Sequence, residues 1–197
     1  NVVLDHHRAA ELSLRHLYNL GHRTIAFMRG QPYSSDSDAR WQGIVEVAKD
    51  LGLSIRPEMT IQLEKDLTSP ELGYPVLKQL LDHQRSFTAV VSFNDVAAIG
   101  CIRALHDSGL RVPEDVSVVG FDDIKEAAFQ TPSLTTIRQP LHQMGALAVE
   151  LLLKQMGPSD TKGPLEVAVE PELIVRESTG PLRQKTIRAT QSLRTNV

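Results

Sequence analysis

The amino-acid sequence predicts an α/β fold in which helices flank a mainly parallel sheet on both faces, giving three layers. Short apolar runs rich in Val, Ile and Leu alternate along the chain with longer segments whose apolar residues recur at helical spacing. This alternation is typical of βαβ units, in which a helix returns the chain so that successive strands lie parallel. Glycines punctuate the pattern, as at Gly21, Gly52 and Gly109, where a helix is expected to end.

The predicted strands are short and largely β-branched, as buried parallel strands are. The most distinct is the run Ser117-Val118-Val119-Gly120-Phe121, which two adjacent carboxylates follow. A similar apolar run, 89–93, is followed by Asn94 and Asp95. The full set of predicted strands is 2–4, 24–28, 59–63, 89–93, 116–121, 134–137 and 166–175.

The predicted helices carry the usual capping signals. Ser69 and Pro70 mark the start of one of them, since proline is favoured in the first turn of a helix. The last helix, 141–156, is strongly amphipathic, with leucine and methionine side chains along one face. The full set of predicted helices is 7–20, 38–51, 71–83, 96–108, 123–130 and 141–156.

Composition limits the class of protein. A chain of 197 residues, 41% hydrophobic and 23% charged, suits one globular domain or one domain plus a fragment. The net charge of −3 argues against a nucleic-acid-binding surface over the whole chain, because such domains are usually basic. The single cysteine, Cys101, excludes an intramolecular disulfide and favours a reduced, cytoplasmic setting. No apolar run reaches the length of a membrane span, so no membrane partner is expected.

Polar side chains follow two of the predicted strands, and an arginine lies at the start of a predicted helix. Asp122 and Asp123 follow one strand, and Asn94 follows another. Arg40 lies in the first turns of a helix, behind a polar loop. Open α/β sheets bind ligands at the carboxyl ends of their strands. The sequence therefore predicts a cleft for a polar small molecule, in which Asp122 accepts hydrogen bonds and Arg40 grips two ligand oxygens.

Other roles for these residues stay open on the sequence alone. Asp123 is expected to cap the following helix, and Asp122 could share that role or join Asp123 in a metal site. A metal is disfavoured because adjacent residues of one strand point to opposite faces of the sheet. Arg40 could be an ordinary surface residue, and Asn94 could bond its own backbone in a turn.

No residue pattern indicates a cofactor, a metal or an enzyme. His6 and His7 are adjacent on a predicted helix and do not converge on one ion, so both are interpreted as surface or helix-end residues. The chain has no P-loop, no dinucleotide-binding glycine motif and no serine-hydrolase elbow. A non-enzymatic role is therefore expected.

Six motifs follow one another in order over about residues 1–180. They are Leu20-Gly21-His22-Arg23-Thr24-Ile25-Ala26, Arg40-Trp41-Gln42-Gly43, Phe93-Asn94-Asp95-Val96-Ala97-Ala98-Ile99-Gly100, Val112-Pro113-Glu114-Asp115-Val116-Ser117-Val118-Val119-Gly120-Phe121-Asp122-Asp123, Leu134-Thr135-Thr136-Ile137-Arg138-Gln139-Pro140 and Leu173-Ile174-Val175-Arg176-Glu177-Ser178-Thr179. With these motifs the chain resembles the effector-binding module of LacI/GalR-type bacterial transcription regulators. That module has two lobes and is similar in fold to periplasmic sugar-binding proteins.

The resemblance implies a domain organisation. Residues 1–180 would form the effector-binding domain, mostly its C-terminal type I lobe, built from about 5–137 plus 166–178. Helix 141–156 would return to pack on the N-terminal lobe. The DNA-binding domain and most of the N-terminal lobe would be absent from this chain, which opens at Asn1 without a methionine. Residues 181–197 have basic side chains, no acid and no apolar pattern, and are expected to form a disordered tail.

The resemblance also implies a function. The whole protein would be a repressor that binds a small effector, such as a sugar, sugar phosphate or nucleobase, in the cleft between its lobes. Effector binding would allosterically alter the affinity of a missing N-terminal helix-turn-helix for operator DNA. Two alternatives are a periplasmic sugar-binding protein of a transport system and an α/β enzyme that uses Asp122 and Asp123 with Mg²⁺.

Residue by residue, the resemblance implies effector contacts from Arg40, Asn94 and Asp122. Gln139, near a crossover between the lobes, and Asp36, in the polar loop, are weaker candidates.

The resemblance further implies a homodimer. Its contacts would come from the outer face of helix 96–108 and from the segment that precedes the strand 134–137. The residues expected there are Ile99, Ile102, Arg103, Phe129 and Gln130.

Overall fold

Strands and helices alternate along the computed structural model, which describes residues 1–64, 69–156 and 166–183. The strands are β1 (Val2–Leu4), β2 (Ile25–Arg29), β3 (Thr60–Gln62), β4 (Ala89–Val91), β5 (Ser117–Asp122), β6 (Thr135–Arg138), β7 (Val167–Val169) and β8 (Glu172–Ile174). The α-helices are α1 (His6–Asn19), α2 (Ser35–Asp50), α3 (Tyr74–His83), α4 (Asp95–His106), α5 (Lys125–Phe129) and α6 (Leu141–Met156).

The main sheet has six strands in the order β3-β2-β4-β5-β6-β8. Its first five strands are parallel, and β8 runs antiparallel to β6 at the edge. A separate two-stranded parallel sheet pairs β1 with β7. The predicted α/β fold with a mainly parallel sheet is therefore confirmed.

The single strand predicted at 166–175 is wrong, because the structure divides it into β7 and β8. Pro171 lies between the two strands and has no N–H to donate to a strand ladder. β7 pairs with β1 in the small sheet, and β8 pairs with β6 in the main one. The chain thus passes from one sheet to the other at this point.

The helix starts depend on local capping. α2 begins at Ser35, three residues before the predicted start, because the Ser34 hydroxyl accepts a hydrogen bond from the Ser37 backbone N–H. The helix predicted at 71–83 starts as a 3₁₀ turn, Pro70–Leu72, and becomes α3 after Gly73. A Cβ on Gly73 would lie 2.0 Å from the Ala97 carbonyl oxygen, so the glycine lets this turn pack directly on α4.

Helices cover both faces of the main sheet. Leu77 of α3 and Leu105 of α4 belong to the buried cluster on one face. Leu14 and Leu17 of α1 and Val47 of α2 belong to the cluster on the other face. The central strands β2, β4 and β5 are consequently buried on both sides. This three-layer packing leaves the carboxyl ends of the parallel strands as one common edge.

Helix α6 has the predicted bounds but no buried residue. Its Met144 packs against the small cluster that contains Leu4 and Phe121, and the helix lies beside β1. Several large apolar side chains remain exposed, namely Leu141, Val149, Leu152, Leu153 and Met156. Among the described residues, no helix combines the length and apolar character that crossing a membrane would require.

The opposite edge of the sheet, formed by the amino ends of the strands, is closed by residues 176–182. The Ser178 hydroxyl donates to the Val118 carbonyl at 2.6 Å and accepts from the Thr135 N–H at 2.8 Å. The Leu182 N–H donates to the Leu20 carbonyl at 2.8 Å. The tail predicted at 181–197 therefore has its first three residues within the described structure, whereas 184–197 lie outside the described residues.

Replacing Ser178 with alanine is expected to lower the free energy of unfolding by roughly 1–3 kcal/mol, because it leaves a buried N–H and a buried C=O without partners. Urea denaturation followed by circular dichroism measures the change. Ser86→Ala is the matched control, since Ser86 is exposed and its hydroxyl bonds only to Gln84. Equal stability of the two variants would contradict the role given to Ser178.

Candidate functional site

The carboxyl ends of the parallel strands bring together four of the residues that the sequence singled out. Asp122 ends β5, Asn94 follows β4, and Gln139 follows β6. Arg40 reaches the same edge from the second turn of α2. The cluster thus forms where open parallel sheets bind their ligands.

Arg40 is at the centre of this cluster and is only 8% exposed. Its Nη1 donates to the Phe93 carbonyl at 2.6 Å, and its Nη2 donates to the Asp36 carboxylate at 3.0 Å. The guanidinium carbon lies 3.6 Å from the centre of the Phe121 ring and 4.6 Å from that of Phe93, which are cation–π contacts. Burial lowers the pKa of Arg40, and Asp36 and Asp122 oppose that shift. Arg40 therefore ties α2 to the ends of β4 and β5.

His6 is a member of the site that the sequence interpretation missed. Its Nε2 donates to the Asp36 carboxylate at 2.8 Å, and its ring lies 6.4 Å from that of Phe121. This hydrogen bond is the main cause that lowers the pKa of Asp36, and the charge of Arg40 adds to it. The sequence did contain a signal for His6. Strand β1 ends at Leu4, Asp5 caps α1, and His6 is the first residue of that helix, so His6 also lies close to the carboxyl end of a strand.

Asp122 is held by Gln139 and by an unusual backbone conformation. The Gln139 Nε2 donates to Asp122 Oδ1 at 2.6 Å. Asp122 and Asp123 have φ values of 116° and 57°, a region that side-chain-bearing residues rarely occupy. Burial raises the pKa of Asp122, while Arg40 and Gln139 act in the opposite direction. Such strain is found most often at functional sites.

The prediction that Asp123 caps the following helix is wrong. Its carboxylate accepts hydrogen bonds from Arg138 and Arg176, each at 2.6 Å. Burial alone would raise its pKa, but the two arginines together lower it. The turn at Asp122 directs Asp123 toward β6 and β8, away from the first turn of α5, which has no side-chain cap.

Asn94 has a structural role in the helix that follows it. Its Oδ1 accepts a hydrogen bond from the Ala97 N–H at 2.9 Å and so caps α4. This matches the backbone-bonding alternative. Its side-chain amide N–H groups bond to no residue in the described part of the chain, and an effector contact from Asn94 stays a prediction.

Three buried polar atoms near the site have no hydrogen-bond partner within the described part of the chain. They are His6 Nδ1, Ser37 Oγ and Arg40 Nε. Buried polar atoms are normally satisfied, so their grouping near the starts of α1 and α2 marks a place for water or a ligand. An open cleft of about 660 Å³ is lined by His6, Asp36 and Gln139, and its size suits a small molecule.

The geometry gives no support to a metal at Asp122 and Asp123. Within residues 1–64, 69–156 and 166–183, no three His, Cys, Asp or Glu side chains are grouped so that they could hold an ion. Asp123 is already neutralised by two arginines.

The predicted dimer residues differ in exposure. Phe129 is 87% exposed, Arg103 is exposed, and Ile99 and Gln130 are half-buried. Ile102 departs from its predicted place on the outer face, because it is 5% exposed and packs in the core. Together with Arg103 and Gln130, it lines a surface cavity of about 310 Å³.

Asp95 lies beneath the site and was not among the predicted site residues. It is fully buried and accepts hydrogen bonds from Thr136 Oγ1 at 2.6 Å and from the Ile124 N–H at 3.0 Å. Burial raises its pKa to about 6. A Cβ on Gly120 would lie 2.2 Å from the Asp95 carboxylate, so a glycine is required beside it.

Comparison with known proteins identifies relatives of this chain. The family of periplasmic binding protein-like domains matches residues 14–179. The HTH-type transcriptional repressor PurR of Glaesserella parasuis serovar 5 is 37% identical over 178 residues, which are 88% of this chain and 52% of the repressor. The chain thus spans about half the length of the curated relatives it matches.

Two solved structures have the same fold. The lac repressor dimer bound to operator and the anti-inducer ONPF has a TM-score of 0.82 and 30% identity, covering 91% of this chain and 60% of the repressor. The complex of the transcriptional regulator CelR with cellobiose has a TM-score of 0.81 and 30% identity, covering 90% of this chain and 53% of CelR.

Replacing Asp95 with asparagine is expected to change the pH dependence of stability. The folded pKa of about 6 lies above the usual value. Folding therefore favours the protonated form of Asp95. This contribution to the free energy of unfolding is fully present below about pH 4 and is lost as the pH rises through about 6. Asparagine imitates the protonated acid, since it donates to Thr136 and accepts from Ile124.

The variant should consequently gain up to roughly 3 kcal/mol relative to the unchanged protein between about pH 4 and pH 7. Urea denaturation across this pH range measures the difference. Asp50→Asn, an exposed replacement in α2, is the control and should give a flat difference. A flat difference for Asp95→Asn would contradict the raised pKa.

Proposed function

We infer the function of this chain from one premise: it belongs to the family of periplasmic binding protein-like domains, in the form found in LacI-type transcriptional regulators. We propose that it is the effector-binding part of a DNA-binding repressor. The observation that carries this proposal is the polar cluster of Arg40, Asp122 and Gln139 at the carboxyl ends of the parallel strands.

The proposed domain organisation assigns the described residues mainly to one lobe. The main sheet would be the C-terminal lobe, with β1, β7 and α6 reaching toward a second lobe. An apolar face of a helix normally packs against another part of the protein. The exposed apolar residues of α6, such as Leu152 and Leu153, therefore support a second lobe that packs on this helix. Operator contacts would come from an N-terminal helix-turn-helix outside this chain, in the cytoplasm.

The proposed effector is a small polar molecule bound between the lobes. Asp36 and Asp122 would accept hydrogen bonds from it, Gln139 and Asn94 would add amide contacts, and Arg40 would offer its unpartnered Nε. Support comes from the open cleft that Asp36 and Gln139 line, from the hydrogen bond between Gln139 and Asp122, and from CelR, a protein of the same fold that was solved with cellobiose.

The proposed mechanism couples effector binding to a movement between lobes. His6 directly follows β1, and Gln139 directly precedes α6, so both lie where the chain passes between the small sheet and the main one. An effector that contacts the partners of these residues, Asp36 and Asp122, would favour one arrangement of the two sheets. A change in lobe closure would then alter the spacing of the two helix-turn-helix domains in a dimer.

The proposed active form is a homodimer. Phe129 is a large apolar side chain at the surface, and Arg103 and Ile99 lie on the exposed side of α4. Aromatic and arginine side chains are enriched at interfaces, which supports this assignment. The lac repressor, a protein of the same fold, was solved as a dimer.

Asp122→Asn in the full-length gene product is expected to weaken effector binding by about tenfold or more, because a charge-assisted hydrogen bond is lost. A thermal-shift screen of sugars, sugar phosphates and nucleobases selects the compound, and calorimetry gives its Kd. Affinity for a duplex selected from random DNA should stay within about twofold without the compound. Asp82→Asn, exposed on α3, is the control, and an unchanged effector Kd in Asp122→Asn would refute the site.

Phe129→Glu in the full-length gene product is expected to shift the population from dimer to monomer, because a charge would replace an apolar contact. Sedimentation velocity over a range of concentrations measures the dimer dissociation constant, with an expected rise of about tenfold or more. Tyr33→Glu is the matched control, since Tyr33 is an exposed aromatic residue outside the proposed interface. Equal dimer dissociation constants for the two variants would refute the proposed interface.

A further inference from the structure

The charge of the cleft points to the class of effector. We propose that Asp36, held by His6 and Arg40, restricts the effector to neutral or amine-bearing molecules with several hydrogen-bond donors, such as sugars and amino sugars, and excludes phosphorylated or carboxylated ones. This inference rests on the proposed function of the same cleft and selects among the effectors that it leaves open.

The first argument is that the one arginine of the cluster is already committed. Two guanidinium nitrogens of Arg40 donate to the Phe93 carbonyl and to Asp36, and the rings of Phe93 and Phe121 flank its charge. These two hydrogen bonds use two of the five guanidinium N–H groups, and the Asp36 carboxylate already offsets the positive charge that would attract a ligand anion. Arg40 therefore has an internal structural role, its Nε lacks a partner within the described residues, and a grip on two ligand oxygens stays a prediction.

The second argument is the balance of charge along the cleft wall. Among the described residues that line the cleft, His6 is the single basic side chain, whereas Asp5, Asp36 and Glu166 are acidic. His6 already donates its Nε2 proton to Asp36. On this described wall a phosphate would thus face three carboxylates and one histidine that is already bonded to Asp36, whereas an ammonium group would be attracted.

The third argument is the hydrogen-bonding character of the two carboxylates nearest the strand ends. The Asp36 side chain is 58% exposed, and each of its oxygens accepts only one internal hydrogen bond. Asp122 accepts from Gln139 through Oδ1 alone. Ionised carboxylates are acceptors only, so a ligand that displaces water from them must offer hydrogen-bond donors. Hydroxyl and ammonium groups meet that requirement, and phosphate oxygens do not.

Asp36 stays ionised at neutral pH, so it continues to favour ligand donors over ligand anions. Its hydrogen bond from His6 lowers its pKa, and the nearby charge of Arg40 acts in the same direction. The pair also orients Asp36, because His6 on α1 and Arg40 on α2 hold one carboxylate oxygen each.

The test uses the full-length gene product and matched sets of ligands. Each set contains a neutral hexose, its 2-amino-2-deoxy derivative and its 6-phosphate, for glucose, galactose and mannose, with cellobiose, adenine and guanine added. Thermal shift finds the compounds that bind, and calorimetry measures their Kd. We expect each phosphate to bind at least about tenfold more weakly than its parent sugar.

Two variants assign the effect to Asp36. Asp36→Asn removes the charge with little change of shape and should reduce the discrimination against phosphate to within about threefold. It should also weaken binding of the amino derivative by about tenfold or more. Asp38→Asn makes the same change of charge on an exposed residue of the same helix turn and should leave both ratios unaltered.

The outcomes separate this inference from the proposed function. A phosphorylated compound that binds more tightly than its parent sugar overturns the inference and leaves the proposed function standing. The same holds if Asp36→Asn and Asp38→Asn behave alike toward whichever compound binds. If no compound in the panel binds and affinity for the selected DNA responds to none of them, the proposed function fails and this inference fails with it.

Discussion

A guanidinium group that is almost fully buried must find partners for its charge and its N–H groups, and Arg40 finds them on three separate elements. It donates to the carbonyl of Phe93 after β4, packs on the ring of Phe121 in β5 and pairs with Asp36 on its own helix. Asp36 compensates the charge, while the carbonyl and the ring hold the guanidinium in place. The positions of α2 and of two strand ends are therefore fixed relative to one another before any ligand arrives.

The two edges of the sheet serve different purposes. At the amino edge, Ser178 and its neighbours satisfy the backbone groups of β5 and β6, so that edge contributes stability. At the carboxyl edge, Asp122 and Asp123 have strained backbone angles, and Asp95 is buried with a raised pKa. Strain and unsatisfied polar groups cost stability and persist where the surrounding packing holds them in place. The stability contributed by the amino edge thus offsets the cost of the strained carboxyl edge, where the proposed binding residues lie.

The segments that connect the small sheet with the main sheet lie beside the proposed binding residues. Pro171 ends the small sheet and starts the return to β8, while Leu4 and Gln139 mark the other two passages. Hydrogen bonds from His6 to Asp36 and from Gln139 to Asp122 join residues beside these passages to the cleft. A ligand that engages Asp36 and Asp122 therefore acts next to the segments about which two lobes would turn.

Local patterns in the sequence predicted the order and type of nearly every element, because helical periodicity, strand composition and caps such as Ser69 depend on neighbours within a few residues. They also placed Arg40 at a helix start and Asp122 at a strand end, and the family resemblance added Gln139. The partners of the site residues depend on the three-dimensional fold: His6 bonds to Asp36, Asp95 to Thr136, and Asp123 to two arginines. The same holds for the division of β7 from β8. These contacts join residues 15 or more positions apart, and strand order and register, which no local pattern encodes, bring them together.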